Sequence, residues 1–232
     1  NMAISGETID YGPCAFMDYY DPKTVFSSID KFGRYAFSNQ PAIAKWNLAR
    51  FAECLIPLID EDEEQAIKTA TKMIDNFQNI YEQKWLNMMK SKLGLIGDNK
   101  DDLKLINSLL NWMEKNKADY TNTFCFLMGI YDDEVYKDKS FEDWLEAWKN
   151  RSSLNKSDKE KQFELMKKVN PVIIPRNHKV EEALSDAEKN NYKTLNILLS
   201  VLQNPYDPKV DILKFQTPAP ASKEKYQTFC GT

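Results

Sequence analysis

Between Asp62 and Val169 apolar side chains recur every three or four residues in segment after segment, so the chain must bury a series of helical faces rather than the alternating faces of a sheet. The longest stripe carries Ile67, Ala70, Ile74, Phe77, Tyr81, Trp85 and Met88 and runs for about seven turns. Asp60 and Asp62 are its candidate N-caps, and the acidic residues that follow suit the positive end of a helix dipole. An earlier helix opens at Pro41, where the missing amide proton would have had no helical partner anyway. Its stripe of Ala44, Leu48, Phe51, Leu55 and Leu58 is expected to be buried, and Pro57 should end or bend it. Trp46, Asn47 and Arg50 lie off that stripe, facing either the N-terminal loop or a second layer of the core.

Further helices follow the same logic. Leu93 to Asn99, with Gly94 and Gly97, breaks the pattern as a loop. Asp101 or Asp102 then caps a helix bearing Leu105, Ile106, Leu109, Trp112 and Met113, and another runs through Tyr120, Phe124 and Leu127. Ser140 begins a third with Phe141, Trp144, Leu145 and Trp148 on one face. Ser157 and Glu160 form a capping-box pair ahead of Phe163 and Met166. Asp119, Asp132, Asp133 and Glu134 lack the spacing and glycine of a calcium loop, so Asp132 to Glu134 reads as a solvated loop. The lysine-rich stretch 156–168 reads as a solvated helix face.

Asn170 to His178, NPVIIPRNH, departs from this periodicity. Two prolines keep it extended, and it is apolar enough to be buried before Arg176, Asn177 and His178 arrive. Its backbone then needs partners, which that polar trio is expected to supply. His178 is the only histidine, with no GxSxG or HExxH pattern beside it, so it reads as a helix-start or structural residue. Val180, Leu184 and Ala187 continue one helical face, and Leu195, Leu198, Leu199 and Leu202 form another before Asn204-Pro205. The proline-rich end is expected to lie over the surface as a tail.

Composition sets the class. With 232 residues, 42% hydrophobic and 28% charged, the chain reads as globular material able to bury a core as one domain, with two small domains allowed but not required. Its 31 basic and 35 acidic residues, a formal charge of −4, give no general attraction to nucleic acid or to an anionic membrane. No apolar run reaches the roughly 20 residues that span a bilayer. Cys14, Cys54, Cys125 and Cys230 show no CxxC spacing and fit a reducing cytoplasm.

The first sixteen residues, NMAISGETIDYGPCAF, hold the candidate chemistry. Asn1 and Asp10 are hard-cation ligands flanking a segment in which Gly6 can turn the chain and Thr8-Ile9 suits a short strand ending at Asp10. Tyr11-Gly12-Pro13 then breaks regular structure. An amide oxygen and a carboxylate suit Mg²⁺, which takes one or two protein ligands and completes its shell with water and phosphate; taken alone, the same two residues equally suit turns. In Lys31 to Gln40, KFGRYAFSNQ, a turn should precede a short extended piece, with Arg34 and Tyr35 anchoring it to the metal loop.

Taken together, GETIDYGPCAFMDYYDP, GRYAF, NQPAIAKWNLARFAE, NPVIIPRNH and the terminal Cys-Gly-Thr resemble the selenoprotein O family of protein adenylyltransferases over nearly the whole chain. The resemblance implies a mainly α structure: the helical C-terminal lobe of a protein-kinase-like, pseudokinase fold, with a short β/loop metal-binding segment at the N-terminus. It implies Mg²⁺, with Mn²⁺ as an alternative, ATP as substrate, and AMP transfer to Ser, Thr or Tyr hydroxyls of proteins. Asn1 and Asp10 would hold the metal, and Asp10 would thereby also bind the nucleotide. Cys230 would be a redox-sensitive thiol able to pair with Cys14; without the resemblance it is a free terminal cysteine. The family's candidate base is an Asp immediately before Asn1, and its small lobe bears a phosphate-binding Lys. Both lie outside this chain, which is therefore expected to be a fragment, inactive alone, with no catalytic residue of its own.

The expected organisation is a metal-binding segment over 1–40, a helical lobe over 41–205 and a tail over 206–232, all in one domain. Two other readings use the same residues. Kinase-type phosphoryl transfer would need the same metal ligands, and a helical interaction module would need none.

Overall fold

Asp62 accepts the backbone N–H groups of Glu64 and Gln65 at 2.9 and 3.3 Å, and from that cap a single helix runs Glu63–Lys92. The computed structural model describes residues 2–7, 12, 14–154, 159–207 and 213–220. Its described elements are helices: α1 Gln40–Ile59, α2 Glu63–Lys92, α3 Asp102–Asn116, α4 Tyr120–Leu127, α5 Lys139–Ser153, α6 Lys159–Val169, α7 Asn177–Glu188, α8 Lys193–Leu202 and α9 Leu213–Gln216. Short 3₁₀ turns occupy Phe37–Asn39 and Glu134–Lys137. Among the described residues the one strand-like pairing is an antiparallel bridge between Tyr19 and Asp119. The Thr8-Ile9 strand and the Ser157 cap expected from the sequence lie outside the described residues. No helix among those described is long and apolar enough to cross a membrane.

The chain divides into two units. The first holds Pro22–Asn87 with the described residues up to Cys14. Its loop is closed by hydrogen bonds from Phe37 N to Thr24 O and from Ser38 N to Pro22 O, both 2.9 Å. The piece expected to be extended is the 3₁₀ turn Phe37–Asn39, because Asn39 Nδ2 reaches back to Arg34 O at 2.7 Å and tightens the chain. Asp30 accepts the N–H groups of Arg34 and Tyr35, each at 2.8 Å. The Arg34 guanidinium lies 4.6 Å from the Trp46 ring centre, so it anchors the segment to α1.

The α1 stripe does not bury as expected. Leu58 is 80% exposed and Phe51 40%, and Ala44, Leu48 and Leu55 are half-buried. The side chains of α1 that look toward α2 belong to the neighbouring face, Ala49, Ala52 and Ile56. Pro57 is tolerated because it falls in the last turn, and the helix ends two residues later at Ile59.

The second unit comprises Ala15–Asp21 and the described part of Met88–Thr228. Aromatic packing joins α3, α4 and α5: the Phe141 ring centre lies 4.4 Å from that of Trp112 and 5.4 Å from that of Phe126. Each indole of this group finds an acceptor: Trp112 Nε1 donates to Asp138, Trp144 Nε1 to Leu105 O and Trp148 Nε1 to Leu93 O, all at 2.9 Å. Asp101 sits at the cap position of α3 without a side-chain bond. Asp102 is buried instead, its Oδ1 accepting Arg151 Nε at 2.6 Å and its Oδ2 accepting Arg151 Nη2 at 3.0 Å. Gly94 turns with φ +64°, and a Cβ there would meet the Met166 side chain at 3.0 Å, so both its conformation and its space require glycine.

A second apolar cluster gathers Cys125, Met166, Val172, Ile173, Ala183, Leu198, Val201 and Phe215. In α7 and α8 the buried faces are centred on Ala183 and on Leu198 with Val201, while Leu184 and Leu199 are half exposed. The final segment is not all surface: α9 sends Phe215 and Gln216 into the interior.

Candidate functional site

The N-terminal segment reverses at Gly6, with φ +75° and its N–H donating to Ala3 O at 3.1 Å. The two predicted metal ligands, Asn1 and Asp10, lie outside the described residues, as does Cys230. Cys14 is described: it is exposed, it holds φ +49°, and its thiol is free. Among the described residues, no cluster of three His, Cys, Asp or Glu side chains could hold a metal ion. Asp132 and Glu134 are exposed, and Asp133 caps the turn Glu134–Lys137 through Val135 N at 3.1 Å, so the solvated-loop reading of this acidic stretch holds.

The chain that follows Cys14 enters a dense polar network in the second unit. Asn177, at the start of α7, clasps Phe16 by both backbone groups: Phe16 N donates to Asn177 Oδ1 at 3.1 Å, and Asn177 Nδ2 donates to Phe16 O at 3.2 Å. Tyr20 N donates to Ala118 O at 3.0 Å and Tyr120 N to Asp18 O at 2.8 Å, which forms the bridge at Tyr19. Arg176, 1% exposed, sits behind this strip. Its Nη1 donates to Asp18 Oδ1 and to Asp119 Oδ2, the latter at 2.7 Å, and its Nη2 donates to Asp119 Oδ1 at 3.2 Å. Asp119 also caps α4 by accepting Asn122 N at 2.7 Å. Burial raises the Asp119 carboxyl above the usual carboxylate range, against the pull of Arg176. The Arg176 guanidinium is raised by its two carboxylates although burial opposes them.

The same core satisfies NPVIIPRNH, though not in the way expected. Val172, Ile173 and Ile174 are buried and extended as the sequence implies. Of the trio only the backbone N–H of Arg176 serves the stretch, donating to Ile174 O at 2.9 Å; Val172 N donates to Pro205 O at 2.7 Å, and Val172 O accepts Gln216 Nε2 at 3.1 Å. Arg176 and Asn177 reach outward to residues 16–18 and to Asp119 instead. Asn170 exchanges bonds with Lys92, its Oδ1 accepting Lys92 Nζ and its Nδ2 donating to Lys92 O, both at 2.9 Å. His178 lies in the first turn of α7, as the structural reading expects, and burial lowers its imidazole from the ordinary value.

What this network can do chemically follows from these pairings. Both nitrogens at the end of Arg176 are committed to carboxylates, so they are not offered to an anion. Burial pushes the Cys125 thiol up to about 12, which removes it as a nucleophile. The network is a fastening, and the segment fastened is the one that follows Tyr11-Gly12-Pro13. Sequence reading missed Asp18, Asp119, Lys92 and Gln216 as its members; only the Arg176 motif carried a signal, an arginine closing a buried extended stretch.

Comparison with known proteins supplies the remaining information. The family model described as Protein adenylyltransferase SelO matches residues 1–203. A protein nucleotidyltransferase YdiU of Pelagibacter ubique is 58% identical over the whole of this chain, which covers 48% of that relative. The relatives of the same description in Nitrosococcus oceani and Clostridium beijerinckii are each 50% identical, again over all of this chain and 48% of their own length. The chain thus spans about half the length of the curated relatives it matches. Identity at this level along the whole sequence, together with the matched model, places the chain in the SelO family of protein adenylyltransferases.

Proposed function

We propose that this chain is the helical, metal-binding part of a protein adenylyltransferase of protein-kinase-like fold, which moves AMP from ATP to Ser, Thr or Tyr hydroxyls of other proteins. The observation that carries the proposal is the family match over residues 1–203, which contains the GETIDYGP stretch with its carboxylate at Asp10. In the reaction the acceptor oxygen attacks the α-phosphorus, the bond from that phosphorus to the bridging oxygen breaks, and pyrophosphate leaves. The acceptor's proton passes to a base, which the family pattern puts immediately before Asn1.

The donor set fits Mg²⁺, because a side-chain amide and a carboxylate are hard oxygen ligands. The reversal of the chain at Gly6 supports their meeting, since an intervening turn is what allows positions 1 and 10 to share an ion. When bound, the ion would neutralise charge on the triphosphate oxygens. Asn1 and Asp10 would hold it and orient the nucleotide. Cysteine usage supports a reducing, cytoplasmic setting.

The test joins this chain to the preceding half of a relative and offers it ATP labelled on the α- or the γ-phosphate with a mixture of acceptor proteins. Transfer of α label alone, lost in Asp10→Ala, is the expected result. Transfer of γ label would establish the kinase-type reading instead, and equal transfer by Asp10→Ala and the unsubstituted protein would remove Asp10 from the site.

A further inference from the structure

The first unit holds a cleft of about 840 Å³ between α1 and α2. The two helices form an antiparallel hairpin about the turn at Asp60–Asp62, with Lys45 Nζ reaching Asp75 at 3.6 Å near the opposite end. Its floor is Ala49, Ala52 and Ile56 from α1 and Ile67, Ala70 and Ile74 from α2. Small side chains at 49, 52 and 70 are why the gap stays open: larger residues there would fill it and complete the packing of the pair. The apolar floor is not sealed, for Ile67 is 48% exposed.

The rim has one sign. Glu53, Asp60, Glu61, Glu63 and Asp75 line the cleft, and among the described residues no lysine, arginine or histidine does. Arg50 offsets Glu53, and Lys45 offsets Asp75. At the hairpin turn, Asp60, Glu61 and Glu63 have no ion-pair partner among the described residues. An apolar trough with carboxylates outside any described ion pair at one end is complementary to an apolar stripe carrying cations at one end. From Glu63 to Asp75 the trough runs along α2 for about 18 Å, the length of about 12 helical residues.

We propose that this cleft docks an amphipathic α-helix of another polypeptide, about 12 residues long, with an apolar stripe at helical spacing and lysine or arginine at the end that meets Asp60, Glu61 and Glu63. The docking is independent of the transfer reaction and holds whether or not the chain moves AMP.

Calorimetric titration of the 232-residue chain with two synthetic amphipathic helices tests this, one with lysines and the other with glutamates at the end of the same apolar stripe. The lysine peptide binds and the glutamate peptide binds at least about tenfold more weakly. Combined Asp60→Asn, Glu61→Gln and Glu63→Gln, all on the surface, weakens the lysine peptide about tenfold and flattens its salt dependence. Ala52→Phe fills the trough and abolishes binding with the helical circular dichroism unchanged. Equal binding of the two peptides, or undiminished binding by the triple variant, overturns the proposal. So does self-association of the chain that Ala52→Phe abolishes, which would make a second copy the occupant. Loss of binding when the other half of a relative is joined to the chain also overturns it, since the trough would then be filled from within.

Discussion

Arg176 and Asp119 stand 57 positions apart in the sequence and meet in the interior through two parallel hydrogen bonds, Nη1 to Oδ2 at 2.7 Å and Nη2 to Oδ1 at 3.2 Å. A fork-to-fork pair of this kind is directional as well as charged. Because Nη1 also holds Asp18, one guanidinium joins the segment around Asp18, the cap of α4 and the entry to α7.

Removing the arginine leaves two carboxylates facing each other away from water. Arg176→Met is expected to lower the unfolding free energy by about 3 to 5 kcal/mol, and Arg176→Lys to recover only part, since an ammonium cannot supply the planar fork. Urea unfolding followed by circular dichroism reads both. A loss within about 0.5 kcal/mol for Arg176→Met, the size of an ordinary surface substitution, would show that the network is not structural.

Lys92 predicts a pH effect. Burial among Phe124, Tyr120 and Asn170 lowers its ammonium from 10.5 to about 8. Below pH 8 both folded and unfolded chains carry the proton, and the full cost of burying the charge is present. Between about 8 and 10.5 the folded chain releases it first, so the unfolded state binds more protons and stability rises with pH. Measured against Lys92→Met, which cannot titrate, the unsubstituted protein should gain on the order of 3 kcal/mol between neutral pH and the top of that window. A difference that stays flat with pH refutes the assignment.

The thiols separate by environment. Cys14 and Cys54 are exposed, whereas Cys125 is buried and its thiol is pushed up to about 12, first by burial and then by the charge of Asp119. Iodoacetamide at mildly alkaline pH should alkylate Cys14 and Cys54 in the native protein and reach Cys125 only with denaturant. Peptide mapping that finds all three modified at similar rates in the folded state would contradict this burial.

The periodic segments were legible because a helix repeats its own face: α2 runs Glu63–Lys92 behind the Asp62 cap, and α3, α4 and α5 bear the apolar residues their spacing indicates. The extended, buried character of NPVIIP was equally legible, since proline excludes helix and the run is apolar. The family was legible as well, because its motifs are long. The candidate metal ligands Asn1 and Asp10 remain a reading of those motifs, on residues outside those described.

By itself, then, the sequence determined where helices run, where they stop and to which family the chain belongs, since these depend on neighbours a few residues away. Tertiary structure alone decided that the Arg176 guanidinium serves Asp18 and Asp119 rather than its own extended segment, and that Gln216 from the proline-rich end serves Val172. It also decided that α1 turns Ala49 and Ala52 toward α2 while Leu58 stays in water. The physical reason is common to all three: a buried hydrogen-bonding group or an apolar face takes whatever partner the fold brings near, and the separation of the partners along the chain carries no trace of that choice.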